Sequence, residues 1–360
     1  MSSPVRIAII GNSFAERVLL PALDHVGGLP GISLKVVGLA GSSGAKAAKT
    51  AQRWGIPKFT NRWQDLFDEP VDLAIIATPV DLHFEMARKA LESGCAVLCE
   101  KPFTLTVAEA EELATLAKGR LALIDHQLRW NPNRRKLRDL IREGFIGEVL
   151  NLRTDLVLDN PLALKRLHSW WFEEERGGGT LGALGSHLID GVQWMLGPID
   201  RVSARLESFI KSRPDSSGTI KPVTADDFAE LWMRTASGAS VSLTTAVGMP
   251  GASRWLTEVA GSKGTLRIDM EDDLIGGLHG DDMAPITPDF PIPELPEKMK
   301  IGGPFNALAP LFLEDLVRAV AAGESTLAEA ATFADGLANM RILEGARASS
   351  KLGGAQVDCR

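Results

Sequence analysis

The sequence predicts two domains: an N-terminal α/β domain with a doubly wound parallel sheet, and a C-terminal α+β domain with an open, largely antiparallel sheet. Up to about residue 125, short apolar runs alternate with segments of ten or more residues that have helical character, which is typical of βαβ units. Beyond that point many segments alternate apolar and polar residues, as antiparallel strands with one solvated face do. We therefore predict domains at residues 1–125 and 126–360.

The elements of the first domain follow from this alternation. Strands are predicted at 5–10, 34–40, 71–78, 96–100 and 120–125, and helices at 14–26, 45–54, 81–94 and 106–118. Thr106 and Glu109 form a capping box at the start of the last of these helices. Strands joined by helices of this length predict right-handed crossovers within one parallel sheet.

The second domain is predicted to mix both element types. Helices are predicted at 131–144, 306–322 and 327–348, strands at 148–158, 201–211, 228–236, 240–247 and 265–270, and a Pro/Gly-rich loop at 278–304. The basic residues of helix 131–144 are interpreted as its solvated face, opposite Leu137, Leu140 and Ile141. The open face of the sheet is expected to be apolar enough to require a partner, so we predict a homodimer or homotetramer.

Composition and charge exclude several classes of function. The net charge of −7 argues against a nucleic-acid partner. No apolar run approaches the ~20 residues of a membrane span, and no signal peptide is visible, so a cytoplasmic protein is expected. Three cysteines are too few for a disulfide framework. Cys95 and Cys99 are interpreted as small buried residues, and no metal site is predicted.

The end of the first strand suggests a nucleotide-binding turn at Gly11, Asn12, Ser13 and Phe14. A glycine here permits a tight bend, and the following helix offers N–H groups to a pyrophosphate. Ser13 and Glu16 depart from the glycine fingerprint, which is a weak signal when incomplete. The turn alone therefore leaves open a Rossmann domain that has lost its ligand.

Two further strand ends strengthen the prediction of a site. Thr78 and Pro79 follow one strand, and Glu100-Lys101-Pro102 follows the next. Because ligands of open α/β sheets bind outside the carboxyl ends of the strands, Lys101 is placed at the same edge as the nucleotide turn. We interpret it as a functional lysine rather than a solvated surface charge.

These residues resemble a known family. ATPVDLHFEMARKALESGCAVLCEKPFTLTVAEAEEL at 77–113, with Thr-Pro, His83 and Glu-Lys-Pro, is similar to the signature of the glucose–fructose oxidoreductase / inositol dehydrogenase / MocA (Gfo/Idh/MocA) family. The resemblance continues through 126–149, 177–197, 258–268 and 332–349. It implies NAD(P) in a Rossmann domain, with His83 at the cofactor site, and an open-faced C-terminal sheet that often serves as an oligomer interface. The implied reaction is oxidation of a sugar, polyol or related carbinol to its ketone.

The same resemblance implies roles for individual residues. Lys101 is hydrogen-bonded to the carbinol oxygen as a general acid/base or as a polarising cation, and His187 is a second group that faces this oxygen. The Lys101–Pro102 bond is implied to be cis. The family's aspartate, four residues before the histidine, is Ala183 here. Asp190, at i+3 from His187, shares its helix face, although a favourable charge in the first helical turn is the simpler interpretation.

The cofactor and the substrate class are predicted from fewer residues. The second strand ends in GLAGSSGAK, without the acidic residue typical of NAD binders. Ser42, Ser43 and Lys46 therefore favour NADP, with NAD possible. Candidate substrate contacts are Arg129, Asn131, Lys165, His168, Trp170 and Trp171. Each has a structural alternative, because Asn131-Pro132 is a good helix start and a tryptophan pair is usually core.

Two other functions stay open from the sequence. One is an NADP-binding sensor or regulator without turnover, which Ser13, Glu16 and Ala183 favour. The other is a lyase or epimerase in which a tightly held cofactor is recycled within each turnover. Lys101 and His187 favour an enzyme over a sensor.

Overall fold

The computed structural model describes residues 3–160, 165–290 and 304–360. The described residues form two units: the first holds 3–104, 108–130 and 304–337, and the second holds 105–107, 131–290 and 338–360. Apart from the short segment 105–107, the chain first passes into the second unit after Trp130, close to the predicted boundary at 125. The predicted second domain was nevertheless too long, because residues 304–337 belong to the first unit.

A seven-stranded sheet forms the centre of the first unit. Its strands are β1 (Val5–Ile10), β2 (Leu34–Ala40), β3 (Lys58–Thr60), β4 (Leu73–Ile76), β5 (Ala96–Cys99), β6 (Ala122–Ile124) and β17 (Ala331–Thr332). The order is β17-β6-β5-β4-β1-β2-β3. All neighbours are parallel except β17, which is antiparallel to β6. The predicted doubly wound parallel sheet is confirmed, with β3 and β17 as additions.

The helices follow the predicted pattern with shifted ends. They are α1 (Asn12–Phe14), α2 (Leu20–Gly27), α3 (Gly44–Trp54), α4 (His83–Glu92), α5 (Val107–Leu116), α6 (Pro132–Arg142), α7 (Ser186–Leu196), α8 (Pro304–Ala307), α9 (Ala309–Ala322) and α10 (Phe333–Lys351). A π-helical turn at Ala15–Leu19 joins α1 to α2. Pro21 lies just beyond this turn and has no N–H to donate to the carbonyl four residues before it.

Residues 304–337 return to the first unit because they complete its core. Phe312, Leu313 and Leu316 of α9 are buried in one cluster with apolar residues of β1 and α2. The Phe312 ring stacks on Trp130, with the centroids 4.2 Å apart. The predicted helix at 327–348 begins later, at Phe333, because Ala331 and Thr332 pair with β6, the last strand of the parallel part of the sheet.

The second unit is built on a nine-stranded sheet. The strands of this unit are β7 (Val149–Leu158), β8 (Ile199–Glu207), β9 (Ser212–Pro214), β10 (Ile220–Pro222), β11 (Phe228–Thr235), β12 (Ser240–Val247), β13 (Arg254–Gly261), β14 (Gly264–Ile268), β15 (Leu274–Leu278), β16 (Ala284–Pro285) and β18 (Val357–Asp358). The sheet order is β16-β15-β14-β13-β7-β12-β11-β8-β18, and β9 and β10 form a separate hairpin. Only β7 and β12 are parallel in it, so the largely antiparallel sheet is confirmed.

Several predicted features of this unit need correction. The predicted strand at 201–211 ends at Glu207, and β13 and β15 were not predicted. The predicted loop at 278–304 contains β16, which pairs with β15, and its part from 291 to 303 lies outside the described residues.

The prediction that helix 131–144 has a solvated basic face is wrong for two of its arginines. Arg134 and Arg138 are buried, with their guanidinium groups 5.1 Å from the Trp255 ring centroid and 4.3 Å from that of Trp194. Stacking on aromatic rings lets a planar cation be buried. Leu137 and Leu140 are buried as predicted.

The solvated face of the nine-stranded sheet is more polar than predicted. Trp232 of β11 is 60% exposed, and its cross-strand partners are Ser203 and Ser242. Arg205 and Arg234 are also exposed on this face. The homo-oligomer therefore stays a prediction. Within the described ranges, none of the helices combines the length and the apolar character needed to cross a membrane.

We predict that Phe312→Ala lowers the free energy of unfolding by about 3–5 kcal/mol, because it removes a fully buried ring and leaves a cavity beside Trp130. Denaturant unfolding followed by fluorescence measures the change. Phe59→Ala is the matched control, since Phe59 is 50% exposed, and its effect should stay within about 0.5 kcal/mol. Equal losses in the two variants would contradict the placement of α9 in the core.

Candidate active site

The carboxyl ends of five parallel strands form one row in the first unit. The register pairs their last residues side by side in the order Ala40, Ile10, Ile76, Cys99 and Ile124. The residue after each of four strands donates its backbone N–H to the neighbouring strand, at Gly11, Ala77, Glu100 and Asp125, with N···O distances of 2.7 to 2.9 Å. The nucleotide turn and the Glu100-Lys101-Pro102 segment are therefore brought to one edge, as predicted.

The turn after β1 has the geometry of a phosphate site. Gly11 has φ +117°, and a Cβ on it would lie 2.0 Å from the carbonyl oxygen of Ala77. No side chain caps the helix that begins at Asn12. The Asn12 Oδ1 atom is buried and has no hydrogen-bond partner among the described residues. Free N–H groups at a helix start bind anions, so the residues present fit the pyrophosphate of a dinucleotide.

The residues predicted to lie near the 2′-position of the cofactor ribose differ in what they contact. The Ser43 Oγ accepts a hydrogen bond from the backbone N–H of Lys46 over 3.4 Å and caps α3. Ser42 and Lys46 are less constrained and more exposed. A groove beside the turn is lined by polar and basic residues that include Asn12, Ser13, Arg17, Lys46, Lys49 and Arg53.

Glu16 departs from the nucleotide fingerprint, because a carboxylate near a pyrophosphate is repulsive unless it points away or is paired with a cation such as Arg17. The structure pairs it with Arg53, with 3.3 Å between the guanidinium and the carboxylate. Arg17 donates to the backbone carbonyl of Ser13 over 3.2 Å. The carboxylate of Glu16 is therefore partly neutralised by a residue that lies far away in the sequence.

His83 connects two loops at this edge. Its Nε2 lies 2.9 Å from the carbonyl oxygen of Thr78, and its Nδ1 lies 3.1 Å from those of Pro102 and Phe103. Burial lowers the pKa of His83, and the hydrogen bonds to these carbonyls oppose the shift in part. Because its ring nitrogens face the backbone, we expect the predicted contribution of His83 to cofactor binding to be indirect. The Lys101–Pro102 bond is cis, as expected.

Three ionisable residues, Glu100, Lys101 and Asp125, share the end of β5 and β6. Burial raises the pKa values of Glu100 and Asp125. One carboxyl oxygen of each, Glu100 Oε1 and Asp125 Oδ1, is buried without a hydrogen-bond partner among the described residues. Burial also lowers the pKa of Lys101, against the opposing pull of both carboxyl groups. No role for Asp125 is predicted from the sequence, where it is only the last residue of an apolar run. The available signal was its position beside Glu100, since both are the last residues of predicted strands.

Two predicted substrate contacts, Arg129 and Asn131, bind other residues of the protein. Arg129 is buried, and its guanidinium lies 3.4 Å from the carboxylate of Asp335. Asn131 caps α6 by accepting from the N–H of Arg134 over 3.0 Å, and its amide group donates to Asp272. These contacts support the structural alternatives given above, and the two substrate contacts stay predictions.

The other predicted substrate contacts cluster near the β9–β10 hairpin. Trp170 and Trp171 are half-buried and meet edge to face, with ring centroids 6.0 Å apart. His168 Nε2 lies 2.9 Å from the carbonyl oxygen of Pro222. Lys165 is exposed. The tryptophans are thus not core residues, and their contact with substrate stays a prediction.

Comparison with known proteins identifies the family. Residues 5–124 match an oxidoreductase family with an NAD-binding Rossmann fold, and residues 134–267 match the GFO/IDH/MocA C-terminal domain. The chain belongs to the Gfo/Idh/MocA family. The first unit is accordingly an NAD-binding Rossmann domain, and the resemblance found from the sequence is confirmed.

Individual members of the Gfo/Idh/MocA family are similar over most of the chain. An uncharacterized oxidoreductase of Synechocystis sp. is 33% identical over 285 residues, or 78% of this chain and 75% of that protein. The levoglucosan dehydrogenase of Pseudarthrobacter phenanthrenivorans is 30% identical over 243 residues, 62% of each chain. A solved structure of levoglucosan dehydrogenase with NADH and L-sorbose matches with a TM-score of 0.87 at 25% identity, covering 99% of both chains.

The second unit holds His187, the histidine to which the resemblance gives a role, in α7. A π-helical turn at Leu181–Gly185 runs directly into α7, so the helical segment begins several residues before His187. His187, Asp190 and Ala183 are all buried. Because Asp190 is buried, it is not a solvated charge in the first turn of the helix. Another residue caps the start of the helical segment.

The cap of this helix is Asp226, which sequence reasoning missed. Its Oδ2 accepts from the N–H of Leu181 over 2.7 Å, and its backbone carbonyl accepts from Thr180 over 2.9 Å. A Cβ on Gly179 would lie 2.2 Å from the Asp226 carboxylate, which explains one glycine of the Gly-Gly-Gly segment. Burial raises the pKa of Asp226 to about 6.

We predict that Gly11→Ala lowers the free energy of unfolding by about 2 kcal/mol or more, because the new Cβ meets the Ala77 carbonyl and φ is positive. It should also weaken NAD(P)H binding, measured by nicotinamide fluorescence. Gly44→Ala is the matched control: nothing lies within 4 Å of a Cβ at Gly44, and its effect should stay within about 0.5 kcal/mol. The predicted geometry of the turn is wrong if Gly11→Ala behaves like Gly44→Ala.

Proposed function

We propose that this protein is an NAD(P)-dependent dehydrogenase that transfers a hydride between the cofactor and a sugar, polyol or related carbinol. The observation that carries the proposal is the delivery of Lys101 to the strand edge that holds the nucleotide turn, through the register of β1, β4 and β5. The relatives named levoglucosan dehydrogenase support a sugar-like substrate class.

Lys101 is the proposed acid/base of the reaction. A bound nicotinamide would supply hydride transfer at the substrate carbon. The carbinol oxygen must lose its proton as the carbon loses hydride, and the lowered pKa of Lys101 makes its neutral amine more available to accept that proton. In the reverse direction the ammonium donates that proton to the ketone oxygen. His187 keeps its predicted role as a second partner of the oxygen.

NADP is the favoured cofactor, with NAD as the alternative. The groove beside the turn holds four basic side chains, Arg17, Lys46, Lys49 and Arg53, against the single acid Glu16. This excess of positive charge suits a 2′-phosphate. Because the Ser43 hydroxyl caps α3, Ser42 and Lys46 are the stronger candidates for direct contact.

Ala183 favours a second candidate function. The family's aspartate would stand four residues before His187, and an alanine there cannot exchange a proton. A protein that binds cofactor and ligand without turnover, or one that recycles its cofactor internally as a lyase or epimerase, fits this departure. Net formation of reduced nicotinamide separates the dehydrogenase from both alternatives.

We predict that Lys101→Ala lowers kcat for carbinol oxidation about 100- to 10,000-fold, the usual contribution of a positioned proton-transfer group. Cofactor affinity should change little, since the lysine serves the substrate oxygen and not the phosphates. The assay follows absorbance of the reduced nicotinamide with a panel of sugars and polyols, and added methylamine should restore part of the rate. Lys89→Ala, on the exposed side of α4, is the control and should retain full activity.

The alternatives give different results in the same assay. Product without net reduced nicotinamide indicates internal recycling. Ligand-dependent stabilisation of the protein with neither product nor reduced nicotinamide indicates a sensor. Unchanged turnover in Lys101→Ala would overturn the mechanism proposed for a dehydrogenase.

We predict that the unmodified protein binds NADPH more tightly than NADH and that Ser42→Asp reverses this order. The new carboxylate repels a 2′-phosphate and accepts a hydrogen bond from a 2′-hydroxyl. Calorimetric titration with both cofactors measures the change, and Ser42→Ala controls for loss of the hydroxyl alone. A preference of the unmodified protein for NADH would contradict the prediction.

A further inference from the structure

The carboxyl groups of Glu100 and Asp125 form a pair behind Lys101. Each follows directly on the registered residues Cys99 and Ile124 at the ends of β5 and β6, and each is fixed there by its own backbone N–H, over 2.9 Å. One carboxyl oxygen of each, Glu100 Oε1 and Asp125 Oδ1, is buried and has no hydrogen-bond partner among the described residues. Asp125 is only 4% exposed. Carboxylate oxygens can only accept hydrogen bonds, so two buried, unpartnered oxygens at neighbouring strand ends are satisfied when one of the two groups carries a proton.

We propose that Glu100 and Asp125 share a single proton and present one negative charge to Lys101, so that they act as positioning residues that set the protonation state of this lysine. The catalytic consequence rests on the proposed dehydrogenase function. The shared proton itself does not.

Charge balance supports one shared proton. With a protonated Lys101, a pair that holds one proton gives a neutral buried cluster, whereas two ionised carboxylates leave a net negative charge that burial disfavours. The other titratable groups here are the buried thiol of Cys99 and the imidazoles of His83 and His126. Burial and both carboxyl groups raise the pKa of Cys99, and burial lowers that of His83, so neither the Cys99 thiol nor the His83 imidazole supplies a compensating charge.

The raised pKa values agree with this arrangement. For Glu100 the chief cause is burial, opposed by the charge of Lys101. For Asp125 burial is again the largest cause, and the charge of Glu100 adds to it. Of the two protons that such a pair can bind, one is lost at low pH and the other is retained to higher pH.

A shared proton makes the two carboxyl groups interchangeable as the source of negative charge. In Asp125→Asn the amide takes the place of the protonated acid and Glu100 carries the charge. In Glu100→Gln, Asp125 carries it. Only the double variant removes the negative charge beside Lys101. Single and double substitutions should therefore be strongly non-additive in their effect on Lys101.

The first experiment measures the melting temperature against pH for the unmodified protein, Asp125→Asn, Glu100→Gln and the exposed control Glu85→Gln. The unfolded chain ionises both carboxyl groups near pH 4, while the folded chain keeps one proton to higher pH. The stabilisation that the shared proton provides is complete below pH 4. It is lost as the pH rises through the raised pKa of the pair in the folded protein.

The amide variants have no such proton to lose. Between pH 5 and pH 8 the melting temperature of the unmodified protein and of Glu85→Gln should fall by about 3 °C or more relative to either amide variant. Parallel curves for all four proteins would overturn the shared proton. This measurement needs no substrate, so it tests the pair even if the proposed function fails.

The second experiment measures the pH profile of kcat/KM for oxidation of a panel substrate. The acidic limb reports Lys101, because only the neutral amine accepts the carbinol proton. Either single variant should move this limb by less than about half a pH unit, and the double variant by about one unit or more to lower pH. Single variants that each move the limb about half as far as the double variant would show two ionised carboxylates, and a single variant that moves it as far as the double variant would show that one group carries the whole charge. Either result would overturn the proposal.

The two experiments separate the possible failures. Absence of turnover in every variant, with the predicted melting curves, would reject the dehydrogenase and keep the shared proton. If the double variant turns over substrate and the acidic limb of its kcat/KM profile does not move, the pair does not set the protonation state of Lys101.

Discussion

The hydrogen-bonded register of the parallel strands is the constraint on which the candidate site depends. β1, β4, β5 and β6 all end in one row, and the next residue of each segment is held by the neighbouring strand. A shift of one residue in β5 would move Lys101 to another position along the edge and would turn its side chain to the other face of the sheet. Apolar burial on both faces prevents that shift, since the strand residues from Ile7 to Ile10 and from Leu73 to Ile76 are buried almost completely.

Buried charge is the second theme of the structure. Arg134 and Arg138 stack on tryptophans, Asp226 caps a helix, and Glu100 lies beside Asp125 at the ends of neighbouring strands. In each case a charged or titratable group accepts desolvation because a fixed partner repays part of its cost. Such groups hold the geometry around them firmly, because moving the partner would leave the group buried and unsatisfied.

The departures from the family pattern concern proton handling and phosphate contact, and leave the fold unchanged. Ala183 stands where the resemblance implies an acid, four residues before His187. Ser13 and Glu16 alter the nucleotide turn, yet Gly11 keeps the conformation that only glycine readily adopts. The part of the site that requires a specific backbone shape is therefore retained, and the ionisable side chains around it differ.

The sequence by itself determined the two-sheet architecture, the nucleotide turn and the position of Lys101, because these depend on local periodicity and on the rule that parallel strands end at one edge. Most of the predicted strands and helices are present, with ends that moved by a few residues. Only the tertiary structure decided the partners: Arg53 for Glu16, Asp226 for the helix of His187, Asp125 for Glu100, and α9 for the core of the first unit. These residues are distant along the chain, and whether a charge is solvated or buried depends on which segments pack against it, which local sequence does not encode.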